Sequence, residues 1–392
     1  MAIDLTRAAA PAQRITQPKV SVVIPCLNEA ENIEHCVNAA FAVMSEHGID
    51  GEVVVADNGS EDGSAELAAA AGATVVHEPR RGYGRAYLAG FAAARGDYIV
   101  MIDADRTYDF GDMPRFVAEL DAGAELVMGN RMENIQPGAM PWMNRYIGNP
   151  VLSGFLKMLY RTKVRDAHCG MRALRRDALV RLDLHTHGME FASEMVIRAA
   201  KADLDVREFP IALHPRGGES KLNPFSDGWR HVRLMLLYHP TFLFMVPGLL
   251  SAVLGTIAML AVFAHSTLFG HAFDIHTLIG GSLLVVVGAQ LLGFGLCARA
   301  FAWFQFGDPD PWLERQGARF KLEHGLLSGG GLTLAGLIIG GIVAGGWLAS
   351  GLGSLSDERV LILSATLVIV GLQVTFTSFL LSILSMRRRE RP

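Results

Sequence analysis

Cysteine is scarce, with only Cys26, Cys36, Cys169 and Cys297 in 392 residues. Their spacing is neither paired nor metal-like, which excludes a disulfide-stapled secreted domain and argues for free thiols in a reducing compartment. Charge is scarce too. Only 19% of residues are charged against 51% hydrophobic, and the mean hydropathy of +0.29 is too apolar for an ordinary soluble protein of this length. Disorder and a collagen repeat are excluded on the same grounds. Residues 1–18 lack the long apolar core of a signal peptide and read as a flexible lead-in.

The missing charge is concentrated in the second part of the chain. Residues 1–239 hold 26 Lys+Arg and 31 Asp+Glu, whereas 240–392 hold 9 and 8. The stretch 240–298 contains only Asp274, and 325–356 and 360–386 contain no charge at all. A helix crosses the hydrocarbon core with about 20 apolar residues. Four spans are therefore expected, near 241–263, 277–299, 325–348 and 360–385. Basic residues cluster in the second connection (Arg299, Arg315, Arg319, Lys321) and the tail (Arg387, Arg388, Arg389, Arg391). The first connection has none and the third only Arg359. The positive-inside rule then places the catalytic part and both termini in the cytoplasm of a multi-pass protein of the cell (inner or plasma) membrane. No span carries the kind of charge that marks an ion path, so chemistry is sought upstream.

Between Val20 and Val100, short β-branched runs (VSVVIP, GEVVVAD, ATVVHE, DYIVMIDAD) alternate with Ala-rich helical segments. That alternation predicts an α/β domain with a parallel sheet, whose ligands bind beyond the carboxyl ends of the strands. Polar clusters fall at those ends: Asn28 and Glu29, then Asp57, Asn58 and Ser60, then Asp103 and Asp105. Residues i and i+2 of an extended segment point the same way, so Asp103 and Asp105 can converge on one hard cation, Mg²⁺ or Mn²⁺.

These residues resemble a known family. SVVIPCLNEAEN, VVVADNGSEDGS and RRGYGRAYLAGFAAARGDYIVMIDAD look like family 2 glycosyltransferases of the GT-A (Rossmann-like) fold. DAHCGMRALRRDAL, GMEFASEMVIRA and PRGGESKLN are similar to the subgroup that makes polyprenyl-phosphate sugars, which includes dolichol-phosphate mannose synthase. The resemblance covers about 20–235. It implies that Pro25, Asn28, Glu29 and Asp57 hold the base and ribose of a nucleotide sugar, and that Asp103 and Asp105 bind the metal and the diphosphate. It also implies that Arg131 serves the donor or phosphate site, that Arg172 holds the acceptor phosphate as a fork, and that Ser220 and Lys221, with Arg216 before them, close over the diphosphate. Thr107 departs from the pattern where some relatives have Gln, which leaves the third metal ligand open.

Charge divides the cytoplasmic part as well. Residues 20–144 hold 7 basic and 20 acidic groups, and 145–233 hold 16 and 10. The basic half leads into the membrane, where it can attract anionic headgroups and a lipid phosphate. LNPFSDGWRHVRLMLLYHP suits an interfacial helix over 222–239, with a core helix bearing a solvated face as the alternative. The expected order is thus a GT-A domain over 19–221, this helix, and a transmembrane domain over 240–392. GYGRAYLAG does not follow the first strand, so it reads as a helix start rather than a dinucleotide loop. His168, His185 and His187 have no companion ligand pairs and are read as structural rather than zinc-binding. Glu190 and Glu194 either border the acceptor site or sit on a helix face.

The expected activity is direct, inverting transfer of a hexose from a UDP- or GDP-sugar to polyprenyl (dolichyl or undecaprenyl) phosphate, with Mg²⁺ or Mn²⁺ and no nucleic-acid partner; homo-oligomerisation stays open. A processive polysaccharide synthase is one alternative, although the nearest string to its Q-x-x-R-W motif is QGARF at 316–320. A non-catalytic membrane scaffold is another.

Overall fold

The computed structural model describes residues 18–217, 224–265, 267–268, 271–306, 310–317, 322–351 and 357–385. They form two compact units, one ending at Met235 and one beginning at Leu236.

The first unit is built on a seven-stranded sheet: β1 (Val20–Cys26), β2 (Gly51–Asp57), β3 (Thr74–His77), β4 (Tyr98–Met101), β5 (Leu126–Asn130), β6 (Arg172–Arg175) and β7 (Val206–Pro210). Their order is β3-β2-β1-β4-β6-β5-β7. The β1 sequence VSVVIPC is buried almost throughout, as a central strand covered on both faces requires. Helix Ile33–Glu46 covers one face with Ile33, Cys36, Val37, Ala40 and Met44, a stripe of helical period.

The four expected strands are present and mutually parallel. Three strands are additional, and one departs from the expected pattern: β6 runs antiparallel to both β4 and β5. β6 enters from the far end because the chain between β5 and β6 travels out through helix Asn149–Tyr160 and returns at the carboxyl edge of the sheet.

Helix Pro224–Leu237 ends the first unit. Its His231, Leu234 and Met235 are buried, while Trp229, Arg230 and Arg233 are exposed.

The second unit has four helices long and apolar enough to cross a membrane: Thr241–Phe263, Ile275–Phe304, Leu322–Ala349 and Glu358–Ser385. The expected spans lie within them, apart from small shifts of their ends. Asp274, the one charge in the first long apolar stretch, caps its helix by accepting from the amides of His276 and Thr277. Apolar side chains gain nothing by leaving lipid for one another, so helix association here depends on close backbone approach. Gly248 and Gly255, Gly281 and Gly288, and Gly329 and Gly336 are each seven residues apart and therefore share a helix face. A side chain at Gly336 would collide with Val368 and the Ser364 carbonyl, and one at Gly288 with the backbone of Ala252 and Gly248. Ser364 Oγ donates to the Gly336 carbonyl at 2.7 Å across the same contact.

Candidate active site

Parallel register sets Cys26 beside Asp57 and Val23 beside Met101, so the carboxyl ends of β1, β2 and β4 form one edge. Loops are tied across it. Asn28 takes the left-handed conformation (φ 51°), its amide donates to Ser60 Oγ at 2.9 Å and its Oδ1 accepts from the Glu61 amide at 2.9 Å. The Glu29 amide donates to Ser64 Oγ at 2.8 Å. Buried Asp57 accepts from the Ser60 amide at 3.1 Å and lies 3.2 Å from His77 Nδ1. Asn58 donates to the carbonyls of Glu78 and Arg80 and accepts from the Gly82 amide, which fixes the next loop.

Asp103 and Asp105 follow β4. Asp103 Oδ1 accepts from the hydroxyls of Tyr83 at 3.0 Å and Tyr87 at 3.3 Å. Burial first, and the neighbouring Asp105 charge second, push the Asp103 carboxyl up to about 6, against the pull of the two hydroxyls. Asp105 Oδ1 accepts from Thr107 Oγ1 at 2.6 Å and from the Thr107 amide at 3.1 Å. Its Oδ2 lies 3.3 Å from one terminal nitrogen of Arg216, whose other terminal nitrogen reaches Glu29 Oε1 at 3.3 Å. Arg216 thus joins the loop after β1 to the D-x-D segment. Its Nε is buried and has no hydrogen-bond partner among the described residues.

The wall behind Asp103 is the segment 166–172. A side chain at Gly170 would collide with Asp103 Oδ2, so only glycine admits this approach. The Gly170 amide donates to Tyr108 Oη at 2.7 Å, and Arg131 reaches the same oxygen at 3.4 Å. Arg131 grips Asp166 in a bidentate pair at 2.7 and 2.8 Å. Burial opposes both charges, yet the Arg131 charge and its hydrogen bonds hold the Asp166 carboxyl below the usual carboxylate range. Arg172 is 1% exposed and donates to the carbonyls of Cys169 (2.8 Å), Ala167 (2.8 Å) and Ala192 (3.0 Å).

Comparison with known proteins agrees with this architecture. The Glycosyl transferase family 2 model matches residues 21–182, and the Glycosyltransferase family 2 C-terminal transmembrane region matches 296–385. The low-salt glycan biosynthesis hexosyltransferase Agl6 of Haloferax volcanii is 43% identical over 366 residues, covering 93% of this chain and 88% of its own. The chain belongs to glycosyltransferase family 2. The dolichyl-phosphate hexose transferase of the same organism is 36% identical to this glycosyltransferase over 179 residues, covering 45% of this chain and 76% of its own. Among solved structures, glucosyl-3-phosphoglycerate synthase from Mycobacterium tuberculosis, in complex with Mn²⁺, UDP and glucosyl-3-phosphoglycerate, is 22% identical. It covers 57% of this chain and 80% of its own with a TM-score of 0.47. The α/β domain of this glycosyltransferase has the GT-A fold, and its four apolar helices and transmembrane-region match make it a membrane protein.

The glycosyltransferase brings Asn28, Glu29, Asp57, Asp103, Asp105 and Arg216 to one sheet edge, with Pro25 half-buried in β1 behind them. Arg172 donates to three backbone carbonyls in the core, and each of its terminal nitrogens carries a second N–H. Arg131 pairs with Asp166 in the same wall behind Asp103. Ser220 and Lys221 lie outside the described residues. Glu194 is a buried cap for the amides of His185 and Thr186. His168 Nε2 pairs with Ser193 Oγ at 3.2 Å, and no group of three metal-type side chains occurs among the described residues.

Sequence reasoning missed the tyrosines, whose i, i+4 spacing looks like any helix face. It also missed Arg106, exposed between Asp105 and Thr107 at φ 62°. Arg106 lines an open cavity of about 360 Å³ with His214, Pro215, Arg216 and Gly217. Its place directly after the paired carboxylates, in the string D-A-D-R, is the signal that could have found it.

Two outcomes are expected. Arg172→Ala removes hydrogen bonds to three buried carbonyls and lowers stability by roughly 3–5 kcal/mol. Thermal unfolding in detergent checks this, and an unchanged Tm with impaired acceptor use would return Arg172 to the phosphate site. The second concerns Asp103, whose pKa rises on folding from 3.8 to about 6. Such a carboxyl supports the fold fully below about pH 4 and loses that contribution as pH rises through about 6. Asp103→Asn keeps an acceptor for both tyrosines and should gain on the wild type across that window, by at most about 3 kcal/mol. Equal Tm differences at pH 4.5 and pH 7.5 would contradict it.

Proposed function

We propose that this membrane glycosyltransferase transfers a hexose, with inversion, from a UDP- or GDP-sugar to polyprenyl phosphate at the cytoplasmic membrane face. The observation that supports this most is the edge joining Asp57, Asp103 and Asp105 to Arg216, a cationic donor with a spare buried N–H in an acidic crevice. The relationship to a dolichyl-phosphate hexose transferase supports the lipid acceptor.

In this reading Pro25, Asn28, Glu29 and Asp57 bind the base and ribose, since they stand at the ends of β1 and β2. Asp103 and Asp105 offer the hard oxygens that suit Mg²⁺ or Mn²⁺, and two carboxylates leave room for diphosphate and water oxygens. Such an ion, when bound, neutralises charge on the departing nucleoside diphosphate. Thr107 serves as the orienting donor to Asp105 rather than as a third ligand. Arg216 exchanges carboxylate partners for phosphate oxygens, and Arg106 adds a second cation at the same rim. A phosphate monoester has its second pKa near 6, so the acceptor is largely dianionic at neutral pH and attacks the anomeric carbon without a strong general base. The protein's task is alignment.

Detergent-purified protein incubated with Mg²⁺ or Mn²⁺, polyprenyl phosphate and labelled sugar nucleotides should place one sugar in the organic phase, and Asp105→Asn should lose at least a hundredfold in rate. A long polymer would favour a processive synthase, and no product from any donor would favour a binding scaffold. Arg106→Gly should raise the donor KM about tenfold while leaving Tm equal or higher, because glycine relieves the left-handed backbone. An unchanged KM would remove Arg106 from the site.

A further inference from the structure

Apolar exposure on the first unit is localised. Of its eight exposed large hydrophobic side chains among the described residues, six (Trp142, Met143, Tyr146, Ile147, Val151 and Met158) fall within one helical stretch. The first five recur at i, i+1, i+4, i+5 and i+9 and share a face, while Ser153, Leu156 and Leu159 are buried. Trp142 and Tyr146 are 65% and 67% exposed, although such rings ordinarily bury most of their surface.

Charge along this stretch is basic, with Glu133 at its edge paired to Arg165. Residues 134–165 contain Arg145, Lys157, Arg161, Lys163 and Arg165 and no Asp or Glu. Tyr160 Oη, at the end of the helix, donates to the Met235 carbonyl at 2.7 Å, and six residues later the chain begins its first apolar span at Thr241.

We propose that the face formed by Trp142, Met143, Tyr146, Ile147 and Val151 docks on an anionic lipid bilayer, with the aromatic and aliphatic groups among the acyl chains and the flanking Arg and Lys residues on the headgroups. This surface is separate from the helix Pro224–Leu237 suggested by sequence and independent of the sugar donor. An amphipathic face of this composition orients the α/β domain on the bilayer rather than leaving it free to tumble on its tether. A second copy of the chain is the competing occupant, but a rim with a net excess of Arg and Lys would repel its own image.

The test uses full-length protein with Cys297→Ser, which removes the one cysteine that is not buried, and Ile147→Cys carrying an NBD fluorophore. The protein is reconstituted in vesicles of phosphatidylcholine and phosphatidylglycerol at 7:3. Doxyl-labelled phosphatidylcholine should quench the probe at least twofold, and iodide should quench it at least threefold less than a probe at exposed Glu66→Cys. Ready iodide quenching would overturn the proposal by placing the face in water. Iodide protection without doxyl quenching would overturn it in favour of a protein partner.

Discussion

The first unit is organised around one electrostatic problem, which is to hold two carboxylates, Asp103 and Asp105, at the end of a buried strand. Each raises the energy of the other's charge, and burial adds to the penalty on Asp103. The solution is distributed. Tyr83 and Tyr87 donate to Asp103 from one helix, Thr107 donates to Asp105 from the loop, and Arg216 brings positive charge from beyond β7. Behind them Gly170 lies flat against Asp103, and the Arg131–Asp166 pair and Arg172 hold that segment rigid. Removing one partner of such a buried pair costs about 3–5 kcal/mol, more than a surface ion pair contributes. The D-A-H-C-G-M-R string therefore lines the carboxylates from behind.

The second unit obeys a different constraint. Lipid gives apolar helices no reason to associate, so contact comes from seven-residue glycine spacing, hydroxyl donors such as Ser364, and the Gln373–Gln290 bond at 2.9 Å. Charge in these helices is confined to positions near their ends, at Arg299, Glu323, Glu358 and Arg359, which fits an anchor more than a conduit.

Sequence made the first four strands legible because each is a β-branched run between turn residues, and it made the D-x-D legible because that pair follows such a run. The later strands were hidden. LVMGN, RALR and VREFP are short and hold at most one β-branched residue each, the last two also mix charge with apolar residues, and the reversed direction of β6 depends on the path of a distant helix. The burial of Arg172 was hidden for a similar reason. A charged residue is expected at the surface, and its burial is secured by carbonyls at 167, 169 and 192 that meet only in the folded chain. Motif resemblance singled out the residue but carried no sign of that burial.

The sign of the crevice bears on how the proposed reaction proceeds. Both proposed substrates are anions, and an edge bearing Glu29, Asp57, Asp103 and Asp105 repels them. Binding therefore requires the local sign to be inverted. In the proposed reaction Asp103 and Asp105 would hold a divalent ion, which would supply part of the positive charge this requires. Arg216, whose guanidinium spans Glu29 and Asp105, would supply the rest by turning to phosphate oxygens. An ion on Asp105 would weaken that carboxylate's hold on Arg216, so the two sources of positive charge would act together.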